Sequence, residues 1–554
     1  MITPRDLADR FHARWLEVHP FAATSYGITG YDHLVPDDSE AGDQAWRSEV
    51  ESFLFEADAV EEADLDAAGR VTLGCVRVAA AQERAVIDSA PLEHTVTPMP
   101  FSEPGVFLAV AARTVLLDPE AAESYITRLE HSGPWIGQLC DRLRAGAAKH
   151  RVPVAPLAAQ AIAWAEDVIA APAPAALLAP QPPAGWSGAA DWADRRERVA
   201  AEVVKPALGR WVEVLRDLLP ACRDADHAGL AHLPGGDEDY RRAVRLHTTL
   251  PITPEELHRI GLEEVEALEG QARRLGDGLG LSSLADIHAA VRASAADLEP
   301  AQAITEAVAA IRRAEARAHE FFPDPLPAPC EVTPMPPVVA TSGVAPHYTP
   351  PRLDGGRAGT FWFNTERPTA GAGWDLEVVA FHEAVPGHHL QLSRLQLLDE
   401  LPALQRHRSL TAFSEGWGLY AEQLAEEVGL YTDDRSRLGA VSASLMRAAR
   451  LVIDTGLHHY GWSRDQAVEF AVAHIPMPTD FLAAEVDRYI VMPGQALAYL
   501  TGKLEILRLR QEAKERMGKA FSLSGFHAAV LDQGSLPLPV LADRITAWSA
   551  SATG

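Results

Sequence analysis

Apolar residues recur at helical spacing along almost the whole chain, and this periodicity restricts the fold more than any other feature of the sequence. Leu7, Phe11, Trp15 and Val18 form one such stripe, and Leu262, Val265 and Leu268 form another after Thr253-Pro254-Glu255-Glu256. That tetrapeptide reads as a helix start, with Thr253 as N-cap, Pro254 in the first turn and Glu256 closing a capping box. Ala-rich tracts such as Ala307 to Ala318 fit the same pattern through helix propensity. Two stretches interrupt it: Ala171 to Gly185, rich in Ala and Pro, and Phe322 to Pro351, where prolines recur. The second marks a boundary between 1–337, read as helical scaffold and cleft wall, and 338–554, read as the chemical region, unless the two interdigitate. Just after it, Gly359 to Thr365 places β-branched and aromatic residues between turn formers and reads as a short strand. The expectation is a mainly α protein, a large multi-helix body around a cleft, with a small β-sheet.

Charge narrows the partners. Lys and Arg number 49 against 77 Asp and Glu, a net charge of −28. Such a field repels phosphate backbones and anionic membranes, so neither nucleic acid nor membrane is an expected partner. Cys75, Cys140, Cys222 and Cys330 lie far apart without C-x-x-C pairs and read as reduced and structural. The first ten residues carry charges where a secretory signal would be apolar, and no run approaches the ~20 apolar residues of a membrane span. A cytoplasmic location is expected.

The chemistry concentrates in His382-Glu383-Ala384-Val385-Pro386-Gly387-His388-His389, inside a segment, Trp374 to Leu398, that reads as a helix interrupted once. Zinc-peptidase helices use H-E-x-x-H because residues four apart share a face and reach one ion. Here the second histidine comes late. On an unbroken helix His388 lies ~120° around from His382, and His389 lies ~10.5 Å along the axis, too far for ligands that each sit ~2.1 Å from zinc. Pro386 removes a helical N–H and Gly387 tolerates unusual backbone angles, so a two-residue bulge would return His388 to the ligand position. A three-residue bulge would instead bring His389. Glu415, 27 residues after His388 in Phe413-Ser414-Glu415-Gly416-Trp417-Gly418, supplies the third ligand of a site with one open position. Gly416 and Gly418 suggest close approach of another backbone. One Zn²⁺ per chain would acidify a water, and Glu383 would accept its proton.

These segments resemble the bacterial domain-of-unknown-function family 885 and, more distantly, the gluzincin metallopeptidases, with specific motifs in roughly the C-terminal third. The resemblance implies His382, His388 and Glu415 as zinc ligands and Glu383 as base. Dipeptidyl-peptidase III-like enzymes carry one extra residue between the histidines and this chain has two, which leaves His388 and His389 both in view. Similar likeness marks Arg447 to His458, where Arg450, Asp454 and His458 are four apart on one helical face. Asp454 is the candidate to orient a zinc-bound histidine, with Arg450, His458 or His389 near substrate. Tyr489 and Tyr499 are the candidates to hold a developing oxyanion, as a Tyr or His does in gluzincins. The strand Gly359 to Thr365 is similar to the edge strand on which such enzymes lay an extended peptide.

The resulting expectation is a zinc metallopeptidase acting on peptides. A zinc amidase acting on small amides uses the same groups, and a non-catalytic metal-binding relative would not need Glu383. A di-iron carboxylate bundle is disfavoured, since it wants Glu-x-x-His pairs on two helices, and neither His388-His389 nor the nearby Glu415, Glu422 and Glu426 belongs to one.

Overall fold

The computed structural model describes residues 2–99, 101–172, 174–294, 299–335, 345–351, 358–365 and 373–551. The chain begins with α1 (Pro4–Val18), opened by a capping box between Thr3 and Asp6, and its buried face carries Leu7, Phe11 and Trp15. Further on, α2 (Gly236–Thr248) leads to α3 (Pro254–Gly278), whose Thr253–Glu256 capping box is formed as the tetrapeptide predicts. The stripe of α3 differs from expectation at one position. Leu257, Gly261, Val265 and Ala272 face inward, whereas Leu262 is 44% exposed. Gly261 explains the choice of face, because a Cβ there would lie 2.8 Å from Leu451 and Val452 side-chain atoms on the helix packed against it. After α4 (Pro300–Arg317) come the three strands of the small sheet.

The expected strand exists as β3 (Thr360–Phe363), but its role is different. β1 (Glu331–Pro334) and β2 (His347–Thr349) flank it, parallel and antiparallel respectively, in the order β1-β3-β2. β3 is therefore the central strand, with its backbone groups paired on both sides, and cannot be the edge on which a peptide lies. The Pro-rich stretch read as a boundary contributes the two outer strands. Pro337 itself lies outside the described residues.

The C-terminal part supplies α5 (Leu376–Glu383), α6 (His388–Leu395), α7 (Thr411–Glu427), α8 (Asp434–His458), α9 (Thr479–Val491) and α10 (Ala498–Met517). One core joins Leu7 and Phe11 of α1 to Phe381, Trp417 and Phe526, so residues from both ends of the chain bury the same surface. Trp417 is fully buried, worth ~2–3 kcal/mol by area alone. The protein is mainly α with a small β-sheet; a cleft is not shown by the described residues. No described helix is long and apolar enough to cross a membrane. All four cysteines are free thiols, three of them buried.

Candidate metal centre

Helix α5 ends at Glu383 and α6 begins at His388, so the interruption spans Ala384 to Gly387, two residues more than the bulge read from the sequence. The helical hydrogen bonds give way to a longer one from the His389 N–H to the Ala384 carbonyl, 3.1 Å. Gly387 folds back so closely that a Cβ would sit 1.9 Å from the His382 carbonyl oxygen, and no other residue fits there. Trp417 on α7 steadies the break by donating its indole N–H to the Pro386 carbonyl at 3.0 Å.

The break brings His382 and His388 face to edge, with ring centroids 4.7 Å apart. Glu415 on α7 completes the group: its Oε2 lies 3.5 Å from His382 Nε2 and 3.6 Å from His388 Nε2. All three donor atoms fall within 4.8 Å of one another. Those separations exceed the ~2.9 Å of an ordinary N–H···O bond. They match the ~3.4 Å between neighbouring ligands around a tetrahedral ion with ~2.1 Å bonds. The donor set thus fits zinc in both chemistry and spacing.

Glu422, two turns beyond Glu415 on α7, accepts a 2.8 Å hydrogen bond from His382 Nδ1. A carboxylate can only accept, so Nδ1 carries a proton and Nε2 is the ring atom left to face the cluster, where a metal would displace its proton. Asp454 does not perform this orienting role. Its carboxylate accepts from the Tyr240 hydroxyl at 2.6 Å and from the Gly494 N–H at 3.0 Å. The sequence motifs give Glu422 no role at the site, although its seven-residue offset from Glu415 is a usable signal.

Burial opposes charge on His382, yet Glu415 and Glu422 outweigh it and raise its pKa to about 10. Burial also opposes charge on Glu415, but the two imidazoles hold it well below the usual carboxylate range. The cluster favours a bound cation. Room for the imidazole comes from Gly418, where a Cβ would lie 2.5 Å from His382 Cε1. Gly416 meets the backbone of Gly502 on α10, as its small size suggests. His388 Nδ1 is buried without a partner among the described residues, a cost of ~1–3 kcal/mol that native folds retain mainly where a function needs it.

His389 points away from the cluster. Its Nε2–H donates to the Ala328 carbonyl at 2.7 Å, and its Nδ1 accepts from the Tyr348 hydroxyl at 2.9 Å. Tyr348 lies on β2 and donates its backbone N–H to Glu383 Oε2 at 2.8 Å, so the outer edge of the sheet touches the candidate base. This strand was hidden among prolines.

The remaining candidates divide. His458 is buried, with Nδ1 accepting from the Leu230 N–H and Nε2 donating to the Tyr489 carbonyl, at 3.1 and 3.0 Å, which leaves nothing for substrate. Tyr489 is 2% exposed, and its hydroxyl donates to Glu485 while accepting from Arg450 Nε. It is a packed side chain, not an oxyanion donor. Tyr499 is only partly buried and borders Glu415: it lies one turn before Gly502, which touches Gly416, and the Glu415 charge is among the causes that, after burial, raise its phenol pKa.

Comparison with known proteins agrees with the fold. Residues 20–545 match the family described as "Bacterial protein of unknown function (DUF885)". A solved protein of Colwellia psychrerythraea, described as a candidate lipoprotein, is similar at 25% identity, with a TM-score of 0.88 over 100% of both chains. Another, of Shewanella oneidensis, described as a candidate lipoprotein of unknown function, shares the fold at 15% identity and a TM-score of 0.75, covering 99% of this chain and 100% of that one. No curated protein matches.

Proposed function

This chain belongs to the DUF885 family of bacterial proteins of unknown function, and from that premise we propose that it is a zinc-dependent hydrolase whose leading substrates are peptides. The observation that carries the proposal is the spacing of His382 Nε2, His388 Nε2 and Glu415 Oε2 at 3.5 and 3.6 Å, with Glu422 behind His382. When bound there, zinc supplies a Lewis acid for a carbonyl and for water.

The chain's own residues would do the rest. Glu383 directly follows the first ligand, and its Oε2 is fixed by the Tyr348 N–H, which leaves Oε1 to accept a proton from the attacking water. Tyr499 keeps its proton at neutral pH, because burial raises its pKa, and can donate to oxygen as negative charge develops. These features support the gluzincin-like reading of the site. The names of the two solved neighbours support an envelope-associated protein in place of the expected cytoplasmic one.

Purified protein should carry about one zinc per chain and cleave components of a mixed-peptide digest read by mass spectrometry. Glu383→Gln should retain the metal and lose turnover by ~10²- to 10⁴-fold. Protein that takes up no transition metal after zinc addition would sink the proposal. Cleavage of small amides but no peptides would move the substrate class to amidase.

A further inference from the structure

Beside the metal cluster stands a charged group that the hydrolytic chemistry leaves unused. Arg450 on α8 and Arg488 on α9 share one carboxylate, Glu485, at 3.0 and 2.9 Å. Two guanidinium groups in contact with one carboxylate leave an excess of positive charge in a mostly buried place, which Asp454, in range of Arg488, offsets only in part because burial holds its carboxyl at about 7. In a chain with a net charge of −28 that surplus is conspicuous, because the averaged field gives anions no help in approaching.

The contacts of Arg450 leave part of that charge uncommitted. Its Nε donates to the Tyr489 hydroxyl and its Nη2 to Glu485, whereas Nη1 has no partner among the described residues. The side chain remains 9% exposed. Its guanidinium carbon lies over the Tyr499 ring, 4.6 Å from the centroid. Tyr499 is in turn near enough to Glu415 for that carboxylate, after burial, to raise its phenol pKa. Tyr499 thus neighbours both the Arg450 guanidinium and a ligand of the metal cluster.

We propose that Arg450, its charge backed by Arg488 and its plane set by Tyr499, binds a carboxylate of the substrate, so that the preferred substrates are peptides or small amides with a free carboxylate near the bond that is cut. The guanidinium charge suits a carboxylate, and the fixed bonds at Nε and Nη2 hold Nη1 in place to donate to it. This assignment rests on the hydrolase reading of the same site but concerns binding, and it is tested by binding.

The probes are N-acetyl-dialanine and its C-terminal amide, titrated calorimetrically into zinc-loaded protein. The acid should bind roughly 10- to 100-fold more tightly than the amide, the size of one charge-assisted contact. Arg450→Gln, which leaves the metal ligands intact, should remove most of that preference, and direct attraction of the acid to zinc would survive it. Arg450→Lys keeps the charge without the fixed Nη1 donor and should retain part of the preference, which covers the case of a Gln variant that folds poorly. Equal binding of the two probes by the wild-type protein, or a preference unchanged in both variants, would overturn the assignment. Retained preference with no cleavage of any peptide would instead leave the subsite standing and remove the hydrolase reading.

Discussion

The face formed by His382, His388 and Glu415 and the face formed by Arg450, Asp454 and His458 both stand out in the sequence as polar residues spaced to meet, the first across a helix break and a further helix, the second along one side of a single helix. Their atoms end in different circumstances. In the first, three donor atoms converge at spacings too long for hydrogen bonds and right for a shared ion. In the second, Asp454 and His458 use their polar atoms on Tyr240, Gly494, Leu230 and Tyr489. A buried polar group is available for chemistry only where the fold has not already satisfied it.

The largest effect that would break this contrast is loss of the metal. His388→Ala should abolish stoichiometric zinc binding, whereas His389→Ala and His458→Ala should keep it, as elemental analysis after dialysis would reveal. His458→Ala should instead lower stability by ~1–3 kcal/mol, measured by denaturant unfolding, because it leaves the Leu230 N–H buried and unpaired. A zinc-free His458→Ala protein that is still folded would erase the distinction.

A smaller effect sharpens it. Gly418→Ala would push a methyl group against the His382 ring and tilt it away from Glu422. Zinc affinity should fall by ~10- to 100-fold, the usual scale for disturbing an orienting partner, with little change in fold by circular dichroism. Competition with a coloured chelator would measure it, and unchanged affinity would show that Glu422 does not tune the site.

The smallest effect belongs to the second face. Burial raises the Asp454 carboxyl, and the bonds from Tyr240 and Gly494 offset only part of that, leaving it at about 7. The folded protein then holds this proton more tightly than the unfolded chain, whose Asp titrates near ~3.9. The associated stability is complete below about pH 4 and is lost as pH rises through about 7. Asp454→Asn cannot titrate and should flatten this part of the slope between pH 5 and 8 without altering zinc content. Parallel slopes for variant and wild type would place the titrating group elsewhere.

Much of the first face was legible because local chemistry wrote it. Pro386 and Gly387 announced a helix break, and the break made His388 a possible partner for His382. The length of the interruption was not legible, since it depends on Trp417 holding the Pro386 carbonyl from another helix. Tyr348 was hidden for a related reason: a three-residue strand gains its identity from pairing with β3, not from its own pattern.

By itself the sequence determined that the protein is mainly helical, where several of its helices are capped, that His382, Glu383 and Glu415 offer imidazole and carboxylate groups of the types a metal site uses, and that small residues mark close contacts on α7. These are properties of neighbours in the chain, set by periodicity, backbone freedom and side-chain type. Only the tertiary structure decided that β3 is central, that Glu422 and not Asp454 stands behind His382, and that Tyr489 is packed while Tyr499 borders the cluster. Each of those outcomes depends on which distant group takes up a given hydrogen bond, and a helical face presents its residues without specifying what will be placed against them.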